Sequence, residues 1–171
     1  MVAELANYLA RIEDLRSQIS GLIAELPAQA LNWRPIEGMD DPATNSLAVL
    51  AAHVAGAEHF WIAEVIGHRP ETRDRKAEFG TVAVSAAEIV QLLLQTARET
   101  KDVFSTLGKS ELNGTRQAGD RTVPVRWCIV HVIDHTSLHL GHMQITYQLW
   151  SGGKSFASPP WFERLSPNLE A

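Results

Sequence analysis

Apolar residues in the first segment recur at helical spacing. From Glu4 to Leu26, the residues Leu5, Leu9, Ile12, Leu15, Ile19, Leu22 and Leu26 stand three or four apart, with Arg11, Asp14, Arg16 and Gln18 between them. The spacing predicts an amphipathic helix with one buried face, and Pro27, which lacks an amide donor, ends it. Residues 28–44 read as a connector, with Trp33 expected to pack back on the core. Asn45 or Ser46 can cap a second helix running to about Ile66, whose apolar face is Leu47, Leu50, Val54, Ala57, Trp61 and Val65. Residues 67–84 form a long link; its charged run ETRDRKAE reads as a solvated face, and FGTVAV as a brief extended stretch too short to make a sheet. Ser85 with Glu88 resembles a capping box. It opens a third helix marked by Ile89, Leu92, Leu93, Thr96, Thr100, Val103, Phe104 and Leu107 and ended by Gly108. The polar segment 109–122 is expected to be loop. A fourth helix starts around Pro124, a residue suited to the first turn, and runs to about Trp150 before Ser151-Gly152-Gly153. At roughly 26 residues it spans about 40 Å. The tail residues Pro159-Pro160-Trp161-Phe162 are expected to lie along the bundle.

Four amphipathic helices with long first and third connections predict an all-α fold, a four-helix bundle formed by residues 1–171 as one domain. The composition agrees: of 171 residues, 45% are hydrophobic and 20% charged, which argues against wholesale disorder. The formal net charge of -5 gives no support to a domain-wide nucleic-acid footprint. The lone Cys128 excludes an intramolecular disulfide framework, a Cys-rich zinc ribbon and an iron–sulfur cluster. The first residues carry charge from Glu4 onward and read as mature protein, and no uninterrupted transmembrane stretch stands out. The expected setting is the cytoplasm, with no membrane or nucleic-acid partner.

Histidine is the unusual feature, because six of the seven lie in two short segments, 53–59 and 131–142. His131, His135, His139 and His142 are spaced four, four and three, so they share one face of the fourth helix. Two histidines four apart let one helix offer two imidazoles to a single metal ion. His53, three after Leu50 and four before Ala57, points near the core side of the second helix and is the best third ligand. The competing reading is a hydrogen-bonded histidine ladder, since imidazoles buried without partners cost desolvation energy.

These two segments carry a family resemblance. NSLAVLAAHVAGAEHFW and HVIDHTSLHLGHMQIT resemble the corresponding stretches of the DinB-like superfamily, which includes the DUF664 proteins and the metal-binding domain of mycothiol-dependent maleylpyruvate isomerase. The resemblance implies a four-helix bundle with a divalent metal at one end of its cavity. Its ligands would be a histidine of the second helix and a pair four apart on the last long helix. These fall on His53, His135 and His139, while His131 and His142 match flanking histidines that would orient the ligands from behind. The chain departs from many DUF664-like sequences in carrying His135 where they place glutamate and Gln144 where they place aspartate.

Three imidazoles and a divalent ion make a positive site. Zinc normally keeps a fourth position for water or substrate; nickel, iron or manganese are the alternatives. Cys128, in an apolar stretch, reads as a small buried hydrophobe rather than a nucleophile. A thiolate at the metal would therefore come from a low-molecular-weight thiol. The resemblance implies thiol S-transferase or isomerase chemistry with mycothiol, bacillithiol or glutathione. The alternatives are a metal-dependent hydrolase acting through activated water, for which neither Glu58 nor Asp134 is convincingly placed as base, and a non-catalytic metal-containing small-molecule binder or stress protein. Trp61 and Trp127 read as packing residues, Tyr147 and Trp150 as candidates for the bundle mouth, His59 as a peripheral residue and His68 as incidental. A small-molecule substrate and a homodimer complete the expectation.

Overall fold

The computed structural model describes residues 1–36, 44–156, 163 and 164. Four long helices dominate: α1 (Ala3–Ile23), α3 (Leu47–Glu58, continuing as a π-helical stretch His59–Ile66), α5 (Ala86–Thr106) and α7 (Val125–Trp150). Shorter helices α2 (Ala28–Asn32), α4 (Arg75–Phe79) and α6 (Lys109–Leu112) lie in the connections. Strands β1 (Thr115–Ala118) and β2 (Arg121–Pro124) pair as an antiparallel hairpin. The helices α1 and α3 each pack against both α5 and α7, so α1 and α3 face one another across the bundle.

The architecture is therefore predominantly helical, as expected, but the described residues hold seven helices and a hairpin rather than a simple four-helix bundle. Three local expectations are corrected. First, α1 ends at Ile23, not Leu26, and Pro27 instead starts α2. Second, the 109–122 segment is not loop: Gly108 opens α6, and the chain then turns at Gly119-Asp120 between the two strands. Gly119 adopts a φ of 61° there, a conformation glycine reaches at little cost. Third, the charged run in 67–84 is not all solvated, because Asp74 caps α4 through the Ala77 amide and the helix carries Glu78 inward. The FGTVAV stretch forms no strand, and Val82 and Val84 stay exposed. The tail at 159–162 lies outside the described residues.

Helix starts follow the sequence closely. The Ser46 hydroxyl accepts from the Val49 amide and Ser85 from Glu88, satisfying donors that have no partner within the first turn. The apolar face of α1 is buried as patterned. One apolar cluster joins Leu15, Ile19 and Leu22 to Leu47, Leu50, Leu93 and Met143; the other joins Leu5 and Ile12 to Ile62, Phe104 and Ile129. Where the two meet along the helices, Arg16 is buried rather than solvated. It pairs with buried Glu58, which also accepts from the Thr100 hydroxyl at 2.5 Å. The segment Leu47–Ile66 is long and apolar enough to cross a membrane by length and composition, but it is largely buried by the other helices of the bundle.

Candidate metal centre

His135 and His139 stand one turn apart on α7 and face His53 on α3. One ring nitrogen from each of the three lies within 4.8 Å of the others. The Nε2 atoms of His53 and His135 approach to 3.1 Å, and the His139 ring centroid lies 5.0 Å from that of His53. Nitrogens bound tetrahedrally to one ion at about 2.1 Å sit about 3.4 Å apart, so side-chain rotations that move ring nitrogens by about 1 Å would bring the three into one coordination sphere.

His53 is held from behind. Its Nδ1–H donates to the Glu78 carboxylate Oε2 at 2.8 Å, so Nε2 is the ring nitrogen that faces His135. Glu78 in turn accepts from Arg73 Nε at 2.6 Å and Nη2 at 3.0 Å. Burial alone would raise the Glu78 pKa, but the hydrogen bonds from His53 and Arg73 outweigh it and hold the carboxyl below its ordinary value. Phe79, next in α4, lays its ring 4.9 Å from the His53 ring. Carboxylate–imidazole pairs of this kind fix the tautomer of a ligating histidine.

His135 and His139 stay neutral. Burial, and then the neighbouring His139, His53 and His131, push His135 down to about 3. Burial, then His53 and His142, push His139 down to about 4. Neutral imidazole is the form that binds metal. The Nδ1 atoms of both rings are buried without a hydrogen-bond partner. A closed histidine ladder would satisfy them, so the cluster is incomplete as a hydrogen-bonded network. Converging ring nitrogens, two neutral rings and an oriented third imidazole fit a divalent ion.

The remaining histidines divide. His131 stacks on Trp127 at 4.9 Å and 7° and touches the His135 ring at 5.7 Å, with Trp61 at 5.2 Å. Trp61 and Trp127 are thus not plain core residues: with His131 they form an aromatic wall leading to His135, and Trp127 is 47% exposed. His142 is exposed and meets the His139 ring at 5.4 Å. His59 lies apart from the cluster, bonded to Glu99 at 2.6 Å and Thr72 at 2.9 Å. His68 is exposed in a loop. Tyr147 packs on the core and on Phe156 instead of lining the site. Cys128 is fully buried, and burial pushes its thiol up to about 11.

Sequence reasoning missed Glu78 and Arg73. Asp74, a residue type suited to an N-cap, is the local signal at the start of α4, and it is a weak one without a periodic apolar run behind it. A cavity of about 370 Å³ lies on the far side of this clamp, lined by Gly56, His59, Arg73, Glu78, Thr96 and Glu99 among others.

Comparison with known proteins places the fold. The sequence pattern of the DinB superfamily matches residues 11–143. A solved structure of a conserved protein from Enterococcus faecalis is 18% identical, with a TM-score of 0.70 over 89% of this chain and 98% of that one. A DinB-like protein from Bacillus cereus is 17% identical, with a TM-score of 0.65 over 90% of this chain and 94% of that one. No curated protein matches. At these identities the two structures speak for the fold alone.

Proposed function

Because the chain belongs to the DinB superfamily, we propose that it is a divalent-metal-dependent enzyme that uses a low-molecular-weight thiol, of the S-transferase or isomerase class. The observation that carries this reading is the convergence of His53, His135 and His139, with the last two held neutral. These three residues would hold the ion, zinc first and nickel, iron or manganese as alternatives. A divalent ion there supplies a Lewis-acidic centre with a position open to a small-molecule thiolate. Glu78 orients His53, His131 and His142 border the α7 pair, and the aromatic wall offers a surface for the apolar part of a substrate. Cys128, buried and protonated, cannot replace an external thiol.

The hydrolase alternative needs a carboxylate free to act as base. Glu58 is committed to Arg16 and Thr100, Glu78 to His53 and Arg73, and Asp134 is on the exposed side of α7. That distribution favours thiol chemistry. We also propose that the chain acts as a homodimer on a small-molecule substrate in the cytoplasm.

Tag-free protein loaded with zinc should bind mycothiol, bacillithiol or glutathione in a calorimetric titration and release protons as it does so. His139→Ala should remain folded and bind zinc more than about 100-fold more weakly, since even removing a group behind a ligand costs about 10–100-fold. Unchanged zinc affinity in that variant overturns the ligand set. No thiol binding at millimolar concentration, together with metal-dependent ester or amide cleavage, replaces the thiol reading with the hydrolase one.

A further inference from the structure

We propose that Gly56 is a positioning residue: its missing side chain makes the seat in which the Glu78 carboxylate lies, latching α4 onto α3 and fixing the tautomer of His53. Gly56 follows His53 by three residues and so shares its face of α3. A Cβ built on Gly56 would fall 2.0 Å from Glu78 Oε1, 2.6 Å from Cδ and 3.2 Å from Cγ. Such separations are far inside van der Waals contact, so any other residue at position 56 expels the carboxylate from its seat.

Glu78 has no slack with which to evade this. Its two oxygens are shared between Arg73, which grips both, and His53, and the side chain is only 9% exposed. Arg73 belongs to the segment leading into α4, and Asp74 caps that helix through Ala77. The chain from 73 to 79 is thus a latch whose tip is Glu78 and whose keeper is Gly56. The small neighbours Ala52 and Ala55 line the adjoining cavity together with Gly56. With the latch seated, the Nδ1 proton of His53 is committed to Glu78 and Nε2 faces the α7 histidines. With it displaced, either tautomer is open to the ring and its orientation loosens.

The helix itself should survive substitution. The atoms a Cβ would meet belong to the free end of a side chain rather than to backbone, and alanine is a better helix former than glycine. Gly56→Ala therefore moves Glu78 and leaves the bundle standing.

The consequence for metal affinity rests on the proposed ligand set; the consequence for the tautomer does not. Nitrogen-15 NMR of the metal-free protein at neutral pH should show His53 as the Nδ1–H tautomer. Gly56→Ala and Glu78→Ala should each abolish that preference. Competition between protein and chelator for cobalt(II) should show a loss of about 10–100-fold in each variant, the usual effect of removing a group that orients a ligand. In the Gly56→Ala/Glu78→Ala protein, where the clash partner is gone, alanine at 56 should add no loss to that of Glu78→Ala. Should Gly56→Ala alone fail to fold while the double variant folds, the clash with Glu78 is equally established. A wild-type tautomer signature in Gly56→Ala overturns the proposal, as does a further loss from Gly56→Ala in the Glu78→Ala background. If the wild type binds no cobalt while the tautomer responds as stated, the metal reading fails and the positioning role stands.

Discussion

Arg16 and Glu58 are 6% and 2% exposed, and each has left water to meet the other. Two charges brought into a low-dielectric interior seldom stabilise a fold over apolar residues of the same shape, but removing one strands the other. Arg16→Met should accordingly cost about 3–5 kcal/mol, read as a fall in the urea midpoint, because Glu58 keeps only the Thr100 hydroxyl. The Arg16→Met/Glu58→Leu protein should recover most of that loss; a double variant as unstable as the single one would show that the pair is favourable in itself. The sequence hid this pair. Arg16 sits one residue after Leu15, at the edge of the apolar stripe, and a long cation there ordinarily extends to solvent. Only Glu58 on a different helix, 42 residues away, draws it inward. The three clustered histidines were legible for the opposite reason: the four-residue spacing of His135 and His139 is a property of one helix, and His53 lies on the core-facing side of another.

At the level of elements, what was legible and what was not divides by length. The long helices α1, α3, α5 and α7 repeat their apolar spacing over several turns, so periodicity announces them. The short helix α4 has no such repeat; it exists because Asp74 caps it, and Glu78 and Phe79 dock on His53. The packing that fixes it lies on α3, and no local pattern encodes that. The junction of α1 with α7 shows how a single ion pair can order two ends at once. Arg126 grips both Glu4 oxygens, at 2.6 and 2.9 Å, and the Tyr8 hydroxyl donates to Glu4 at 2.9 Å. The hydrogen bonds from Arg126 and Tyr8 lower the Glu4 pKa from 4.5 to about 2. A carboxyl depressed in the folded state contributes stability that is fully present above its unfolded value and is lost as pH falls through the folded one. Glu4→Gln should thus lower the urea midpoint at pH 6, and the gap from wild type should close between pH 4.5 and about 2. A gap of constant size across that window would exclude Glu4 as the titrating group.

Among the described residues, one long apolar face of α7 stays uncovered. Along α7, Trp127, Val130, Leu138, Ile145 and Leu149 are 47, 40, 58, 57 and 58% exposed. Asp134 and Gly141 continue the same stripe at helical spacing, and an added Cβ at Gly141 would meet nothing within 4 Å. From 127 to 149 the stripe runs about 33 Å at the helical rise. A patch of that length on one straight helix suits a second copy of itself, because a two-fold axis lets the same face serve both partners. Two α7 helices crossing near Gly141 could approach closely and bury Leu138 and Ile145 against their counterparts. His142, four after Leu138 and three before Ile145, borders this face and meets the His139 ring, so the dimer contact would run beside the histidine cluster. Light scattering at micromolar concentration should give about twice the chain mass of 18.9 kDa. Leu138→Glu, which places a charge at the centre of the stripe without touching the core, should return the mass to that of one chain while leaving the helical circular dichroism unchanged. A wild-type mass near 18.9 kDa would reject the dimer; a Leu138→Glu protein that stays dimeric would move the interface off α7.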